Sequence, residues 1–323
     1  MAANVEKENE VPLTPANTKK PATTTSFRSL RQIDAGVLNV GYVEAGPADG
    51  PVVILLHGWP YDIHSYADVA PWLGAAGYRV IVPHLRGHGT TQFLDRDTLR
   101  SGEQAAVAHD IVGLMDALGI EKAILAGYDW GARTANIIAA LWPQRCKAMV
   151  SAGGYLIDDR RSYEGPLPPL VEWGWWYQYY FVAGDGPPGL AANQDDLAKL
   201  VWRVNSPKWD FDDPTFDRTA ASFRNPDYVS IAIHNYRWRL GVAEGDPRYE
   251  GLERRLGQGP VIAVPTITLD GAYDGVTPAT DGASYRGRFS GRYAHRIIEG
   301  AGHNLPQEAP RAFADAIVEV DSY

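Results

Sequence analysis

The pentapeptide Gly127-Tyr128-Asp129-Trp130-Gly131 constrains this chain more than any other feature, because of what flanks it. Ala123 to Ala126 is a short apolar run of the kind buried in a parallel sheet, and Ala132 to Leu141 has the composition of a helix ended by Pro143. Glycine at both ends lets a strand and the helix after it approach closely, so that the middle side chain is lifted above the sheet. Asp129 is that side chain. It stands at a helix N-terminus, where the backbone favours negative charge and keeps a carboxylate ionised. On its own G-x-D-x-G is an ordinary tight turn; the strand before it and the helix after it make it an elbow that presents a nucleophile.

The rest of the chain supplies the sheet such an elbow needs. From Phe27 onward short β-branched runs alternate with helical stretches, a pattern that predicts an α/β protein with a mostly parallel sheet covered by helices. Strands are expected at Val37 to Glu44, Val52 to Leu56 and Arg79 to Val82, with helices around Ala67 to Ala76 and over Glu103 to Leu118, the latter stopped by Gly119. Between about Tyr155 and Asp246 prolines, tryptophans and tyrosines crowd together and the buried-strand pattern vanishes, which predicts an inserted helical lid. Val264 to Leu269 and Arg296 to Glu299 restore the strand pattern, and Pro310 to Val320 reads as a final amphipathic helix. The expected organisation is a polar tail over 1–26, a first core segment over 27–154, a helical cap over 155–246 and a second core segment over 247–323.

Composition narrows the partners. A length of 323 residues, 45% of them hydrophobic, is enough for a large buried core. A formal net charge of −9 argues against nucleic acid, which wants clustered Lys and Arg, and favours an uncharged small molecule. No apolar run reaches the roughly 18 residues of a membrane helix. A single cysteine, Cys146, cannot form an intramolecular disulfide, and the opening segment lacks the pattern of an export signal, so the cytoplasm is the expected compartment.

An aspartate at the elbow says what is attacked. A serine attacking saturated carbon would leave an ether that water cannot cleave, whereas a carboxylate leaves an ester whose carbonyl belongs to the enzyme. The expected substrate therefore carries an sp³ carbon with a leaving group, such as an epoxide or an alkyl halide. Ester hydrolysis then needs a base. In enzymes built round such an elbow the chain order is nucleophile, acid, histidine. That order sets aside His57, His64, His84, His88 and His109, which precede the nucleophile. Of those that follow, His234 falls in the lid and His295 is expected before the last strand, which leaves His303 in Gly302-His303-Asn304. The acid that orients it should follow Val264 to Leu269. Asp274 is the preferred candidate over Asp270, which is expected to cap the strand or turn, with Asp158 and Asp159 in reserve. The oxyanion formed on the Asp129 carbonyl needs backbone donors. His57-Gly58-Trp59-Pro60 follows a buried strand where a second donor is expected, so the amides of Trp59 and Trp130 form the predicted pair, and Pro60 is a candidate for a cis bond.

Taken together, HGWP at 57–60, GYDWG at 127–131, GAYDGVTP at 271–278 and GHNLPQEAP at 302–310 resemble the epoxide hydrolases of the α/β-hydrolase fold, over nearly all of the chain from Phe27. The resemblance implies two lid tyrosines that donate hydrogen bonds to the epoxide oxygen. Tyr177 in Trp176-Tyr177-Gln178-Tyr179-Tyr180-Phe181 and Tyr236 in Asn235-Tyr236-Arg237 match those contexts. Such phenols, with a pKa of about 10, can yield a proton to the far more basic alkoxide of an opening ring. Most of Trp173, Trp175, Trp176, Tyr179, Tyr180, Trp202 and Trp238 are expected to pack the lid or line an apolar pocket, with Pro60, Trp176 and Tyr180 on the pocket wall. No metal or organic cofactor is implied. Two departures stand out: His84 replaces an acidic residue usual in the family, and Tyr128 a frequent histidine.

Haloalkane dehalogenases share the aspartate and a tryptophan like Trp130, but halide leaves without a proton and needs no phenol. A fluoroacetate dehalogenase would place an arginine where this chain has Trp130. A non-catalytic receptor on the same fold would usually have lost part of the triad, and a serine esterase would need a serine at the elbow.

Overall fold

The computed structural model describes residues 27, 29–158 and 168–323. The expected tail over 1–26 and the reserve acid Asp159 lie outside these residues.

Among the described residues nine strands form one sheet: β1 (Leu30–Ala35), β2 (Leu38–Ala45), β3 (Val52–Leu56), β4 (Arg79–Pro83), β5 (Gln92–Phe93), β6 (Ala123–Tyr128), β7 (Cys146–Ala152), β8 (Thr266–Gly271) and β9 (Tyr293–Ile298). Their order is β1-β2-β4-β3-β6-β7-β8-β9, with β5 paired to β2. β2 runs antiparallel to β1, β4 and β5, and every pairing from β4 through β3 to β9 is parallel. Helices α1 (Val69–Ala75), α2 (Gln104–Ala117) and α3 (Trp130–Leu141) connect the first strands. Among the described residues seven more lie between β7 and β8: α4 (Pro169–Gly174), α5 (Trp176–Val182), α6 (Gly186–Ala192), α7 (Gln194–Asn205), α8 (Asp213–Ala220), α9 (Tyr228–Arg239) and α10 (Glu250–Leu256). After β9 come α11 (Leu305–Glu308) and α12 (Pro310–Val320). No strand interrupts the described residues between β7 and β8, as the loss of the buried-strand pattern predicts.

Every residue of β6 is buried, and Val53 to Leu56 of β3 beside it are too, which is why both read as unbroken apolar runs. The register sets Leu56 opposite Gly127, so the segment after β3 runs beside the elbow after β6. Asp270 likewise pairs with Ile297 and Gly271 with Ile298, which puts the loops after β8 and β9 side by side at the same edge. That edge, the carboxyl end of a parallel sheet, is where such folds gather reactive groups.

The strand expected at Arg296 begins at Tyr293, so His295 lies inside β9 rather than before it. Five of the six residues of β9 are half-buried and the sixth is exposed, so polar side chains occupy positions where an apolar run would have marked the start. β1 went unread for the same reason: four of its six residues are exposed at the sheet margin. Two aromatic residues of the insertion also depart from expectation, since Trp173 is 66% exposed and Tyr179 is 44% exposed. No helix among the described residues is long and apolar enough to cross a membrane.

Candidate active site

Asp129 is the only described non-glycine residue at positive φ, with φ 52° and ψ −126°. An L-residue held there carries on the order of 1–3 kcal/mol of backbone strain, which only a rigid surround maintains. The glycines supply that surround by proximity. A Cβ on Gly131 would stand 1.9 Å from the Leu56 carbonyl oxygen, one on Gly127 2.4 Å from the Gly131 carbonyl carbon, and one on Gly58 2.5 Å from Asp129 Cβ. Gly131→Ala is accordingly expected to destabilise the fold by about 3 kcal/mol through overpacking, read as a fall in the urea midpoint. An unchanged midpoint would mean that strand and helix can separate at no cost.

The carboxylate is held on both sides. The Trp59 N–H donates to Asp129 Oδ1 at 2.7 Å, and the Trp130 N–H, first of α3, faces the same group. Asp129 Oδ2 lies 3.5 Å from His303 Nε2. Burial opposes ionisation of Asp129, but the His303 ring and the two backbone amides outweigh it and hold the acid below its usual range. The Trp59-Pro60 peptide is cis, and the Pro60 carbonyl accepts from Trp202 Nε1 at 2.8 Å.

His303 Nδ1 donates to Asp274 Oδ2 at 2.8 Å. Asp274 Oδ1 accepts from the Val276 and Thr277 amides at 2.7 and 3.0 Å, which fixes the carboxylate plane. Asp270 is engaged elsewhere: its Oδ2 accepts from the Thr280 amide at 3.0 Å and stands 3.9 Å from His295 Nε2. Asp158 pairs with Arg133 and, at 2.8 Å, with Arg239 Nε. His234 in α9 accepts from the Gly102 amide and donates to the Glu244 carbonyl. Of the candidates weighed from sequence, Asp274 and His303 are the pair brought to Asp129.

Burial opposes charge on the His303 ring, but Asp274 first and then Asp129 overcome it, and its pKa is pushed up to about 10. The sign follows from the partners: two carboxylates favour imidazolium. In Asp274→Asn the buried ring is expected to titrate well below this value, neutral at pH 8 where the native ring is charged, as read from its ring ¹⁵N shifts. An unaltered titration would remove Asp274 from this role.

Tyr177 in α5 and Tyr236 in α9 are buried, with their rings 5.4 Å apart in a T-shaped contact and both against Trp59. The Trp130 indole N–H donates to the Tyr236 hydroxyl at 3.3 Å. Burial raises the pKa of both phenols and the Asp129 charge adds to it, so both keep their protons. Trp176 stands edge-on to Tyr177 at 6.3 Å, and Tyr180 packs on Trp176 at 6.2 Å with its hydroxyl against Gly189.

Several residues here escaped sequence reading. The Asn205 carbonyl, at the end of α7, accepts from the Gly275 amide at 2.9 Å and the His303 amide at 3.3 Å. Ser206 Oγ accepts from the His303 and Asn304 amides and donates to Glu308, which in turn holds the Gly302 amide at 2.7 Å. Asp62, fully buried, accepts from Thr219 and Ser222 of the insertion as well as from His64. Glu308 lies in the quoted motif GHNLPQEAP and could have been found there; Asn205, Ser206 and Asp62 carry no local signal. His57, His84 and His88 are buried, and burial lowers the pKa of each. His57 takes the Leu85 amide on Nε2 and so donates from Nδ1 to the Gly58 carbonyl, a neutral ring bracing the turn before Trp59. His84, the departure from the family pattern, packs against Gly89 in this neutral cluster. Tyr128 shares a hydrogen bond of 2.7 Å with Ser65 and packs on Tyr61 and His303.

Residues 51–310 match the family described as the alpha/beta hydrolase fold. An epoxide hydrolase from Caballeronia sordidicola is 36% identical over 303 residues, covering 83% of this chain and 87% of its own. Epoxide hydrolase A of Mycobacterium tuberculosis is 26% identical over 325 residues, covering 90% of this chain and 96% of its own. A candidate epoxide hydrolase from Klebsiella pneumoniae, known from a crystal structure, is 55% identical with a TM-score of 0.90, covering 94% of this chain and all of its own. The chain belongs to the α/β-hydrolase family. Within it, this is an enzyme of the epoxide hydrolase type.

Proposed function

We propose that the enzyme opens a small apolar epoxide to a vicinal diol through an alkyl ester on Asp129, hydrolysed by water that His303 activates with Asp274 behind it. The observation that carries this reading is the placement of Asp129. Its two oxygens face the Trp59 amide and the His303 ring, and paired phenols stand nearby on Trp59 and Trp130. A carboxylate oxygen attacks a ring carbon, and Tyr177 and Tyr236 protonate the departing oxygen. Esterification then removes the charge from Asp129. His303 loses one of the two carboxylates that kept it protonated, so its pKa falls and it becomes a base when one is needed. The proton it releases balances the one the alkoxide took. In the second step the amides of Trp59 and Trp130 stabilise the oxyanion on the Asp129 carbonyl.

The residues from 155 to 246 serve in this reading as a cap over core segments 27–154 and 247–323, with Pro60, Trp176 and Tyr180 on the apolar side of the substrate space. Dehalogenation is the competing chemistry. There the Trp130 indole would hold halide, but here its N–H is taken by the Tyr236 hydroxyl, which favours the epoxide.

A single turnover of excess enzyme on styrene oxide in heavy-oxygen water tests the ester. The first diol is expected to carry ordinary oxygen and Asp129 to acquire the label. Solvent oxygen in that first diol would sink the mechanism.

A further inference from the structure

Three buried polar atoms on residues that meet at His303 make no hydrogen bond within the protein: Tyr61 Oη, Asn205 Oδ1 and His303 Nε2, the last 3.5 Å from Asp129 Oδ2. Buried polar groups without partners are costly and uncommon in native proteins, so three on residues that converge on one histidine need a reason. They come from different parts of the chain. Tyr61 follows Trp59 and Pro60 in the loop after β3; its ring stacks on Trp202 at 5.1 Å and lies 5.2 Å from Tyr128 and 6.4 Å from His303. Asn205 ends α7, its carbonyl holding the loops of Asp274 and His303 together. Its side chain faces the Tyr61 hydroxyl closely enough to lower that phenol's pKa by hydrogen bonding, while its Oδ1 has no partner within the protein. Burial raises the pKa of the Tyr61 hydroxyl and the Asp129 charge adds to it, so the phenol keeps its proton and can donate it in a hydrogen bond.

We propose that Tyr61 Oη and Asn205 Oδ1, together with His303 Nε2, seat the water that hydrolyses the Asp129 ester. The proposal rests on the ester reading above and assigns two residues to its second half. A water has four hydrogen-bonding directions. One hydrogen points to His303 Nε2 and the other to Asn205 Oδ1, the Tyr61 hydroxyl donates to one lone pair, and the remaining lone pair is free to attack Asp129 Cγ. Attack forms the oxygen–carbon bond while His303 takes the first proton. Collapse breaks the bond from Cγ to the diol oxygen, which takes a proton back from His303. The proton left on the Asp129 carboxyl then returns to His303, restoring carboxylate and imidazolium.

Tyr61→Phe removes only a hydroxyl and keeps the ring's stacking on Trp202 and Tyr128. Asn205→Ala removes the amide and keeps the backbone carbonyl. With styrene oxide as probe, stopped-flow tryptophan fluorescence reads ester formation, and intact-protein mass after rapid quenching reads how much enzyme carries the adduct. Both variants are expected to form the ester at a rate within about twofold of wild type and to hydrolyse it about 10- to 100-fold more slowly, so that adduct accumulates. A merely structural role would slow both steps or neither. His303→Gln is the internal reference. If it accumulates adduct while both variants hydrolyse at the native rate, the water site is wrong and the ester stands. If His303→Gln forms no adduct, the ester reading fails and this proposal with it.

Discussion

Asp129→Ala is expected to lower epoxide turnover on the order of 10⁴-fold or more, the scale on which loss of a nucleophile is felt. The residue is not required for the fold: alanine at φ 52° is no more strained than aspartate, and the glycines at 58, 127 and 131 keep their contacts. What disappears is the atom proposed to form the bond to carbon. The variant should keep its unfolding midpoint, show no mass adduct with styrene oxide and still admit substrate to the site. His303 should also titrate lower, because one of its two carboxylates is gone. Alanine is the diagnostic choice. A side-chain amide in place of the ester would face the same water and base, and its hydrolysis would regenerate Asp129. Turnover within about 100-fold of wild type would point instead to direct attack by water.

The second large effect is expected from Tyr177→Phe combined with Tyr236→Phe. Proton donation to a departing oxygen is worth about 10²–10⁴-fold, and with both phenols gone an alkoxide must leave bare into a site closed by aromatic rings. Ring opening should fall by about 10⁴-fold. Each single variant should retain more, since the other phenol still donates. Packing changes little, because the rings still meet Trp59, Phe181 and each other. The single Tyr236→Phe has a further consequence: the Trp130 indole loses its acceptor. Halide release from a chloro- or bromoalkane separates the two chemistries, since it needs no phenol. Full epoxide turnover by the double variant would remove both tyrosines from the mechanism.

The parts of the site that sequence made legible are those fixed by short-range rules. Glycine at 127 and 131 between an apolar run and a helix announces the elbow because backbone clearance, at Leu56 for Gly131 and at Gly131 itself for Gly127, leaves no other residue. Chain order then singles out His303 from eight histidines. Asp274 was separable from Asp270 only by its place in the loop, and the distinction in space comes from the amides of Val276 and Thr277, which turn its carboxylate to the ring. Contacts between distant segments left no such mark. Asp62 meets Thr219 across 157 positions of chain, and Ser206 meets His303 across 97, through hydroxyls that are ordinary on any helix. The start of β9 and the whole of β1 were missed because margin strands need no apolar run.

The two residues that close α7 bear on how this fold can be rebuilt. Asn205 and Ser206 belong to the segment that interrupts the sheet between β7 and β8, yet they stitch the loop of Asp274 to the loop of His303. The insertion is therefore no exchangeable module. A chimera that grafts another enzyme's helices between β7 and β8 keeps Asp274 against His303 only if the graft brings an equivalent seam at this point.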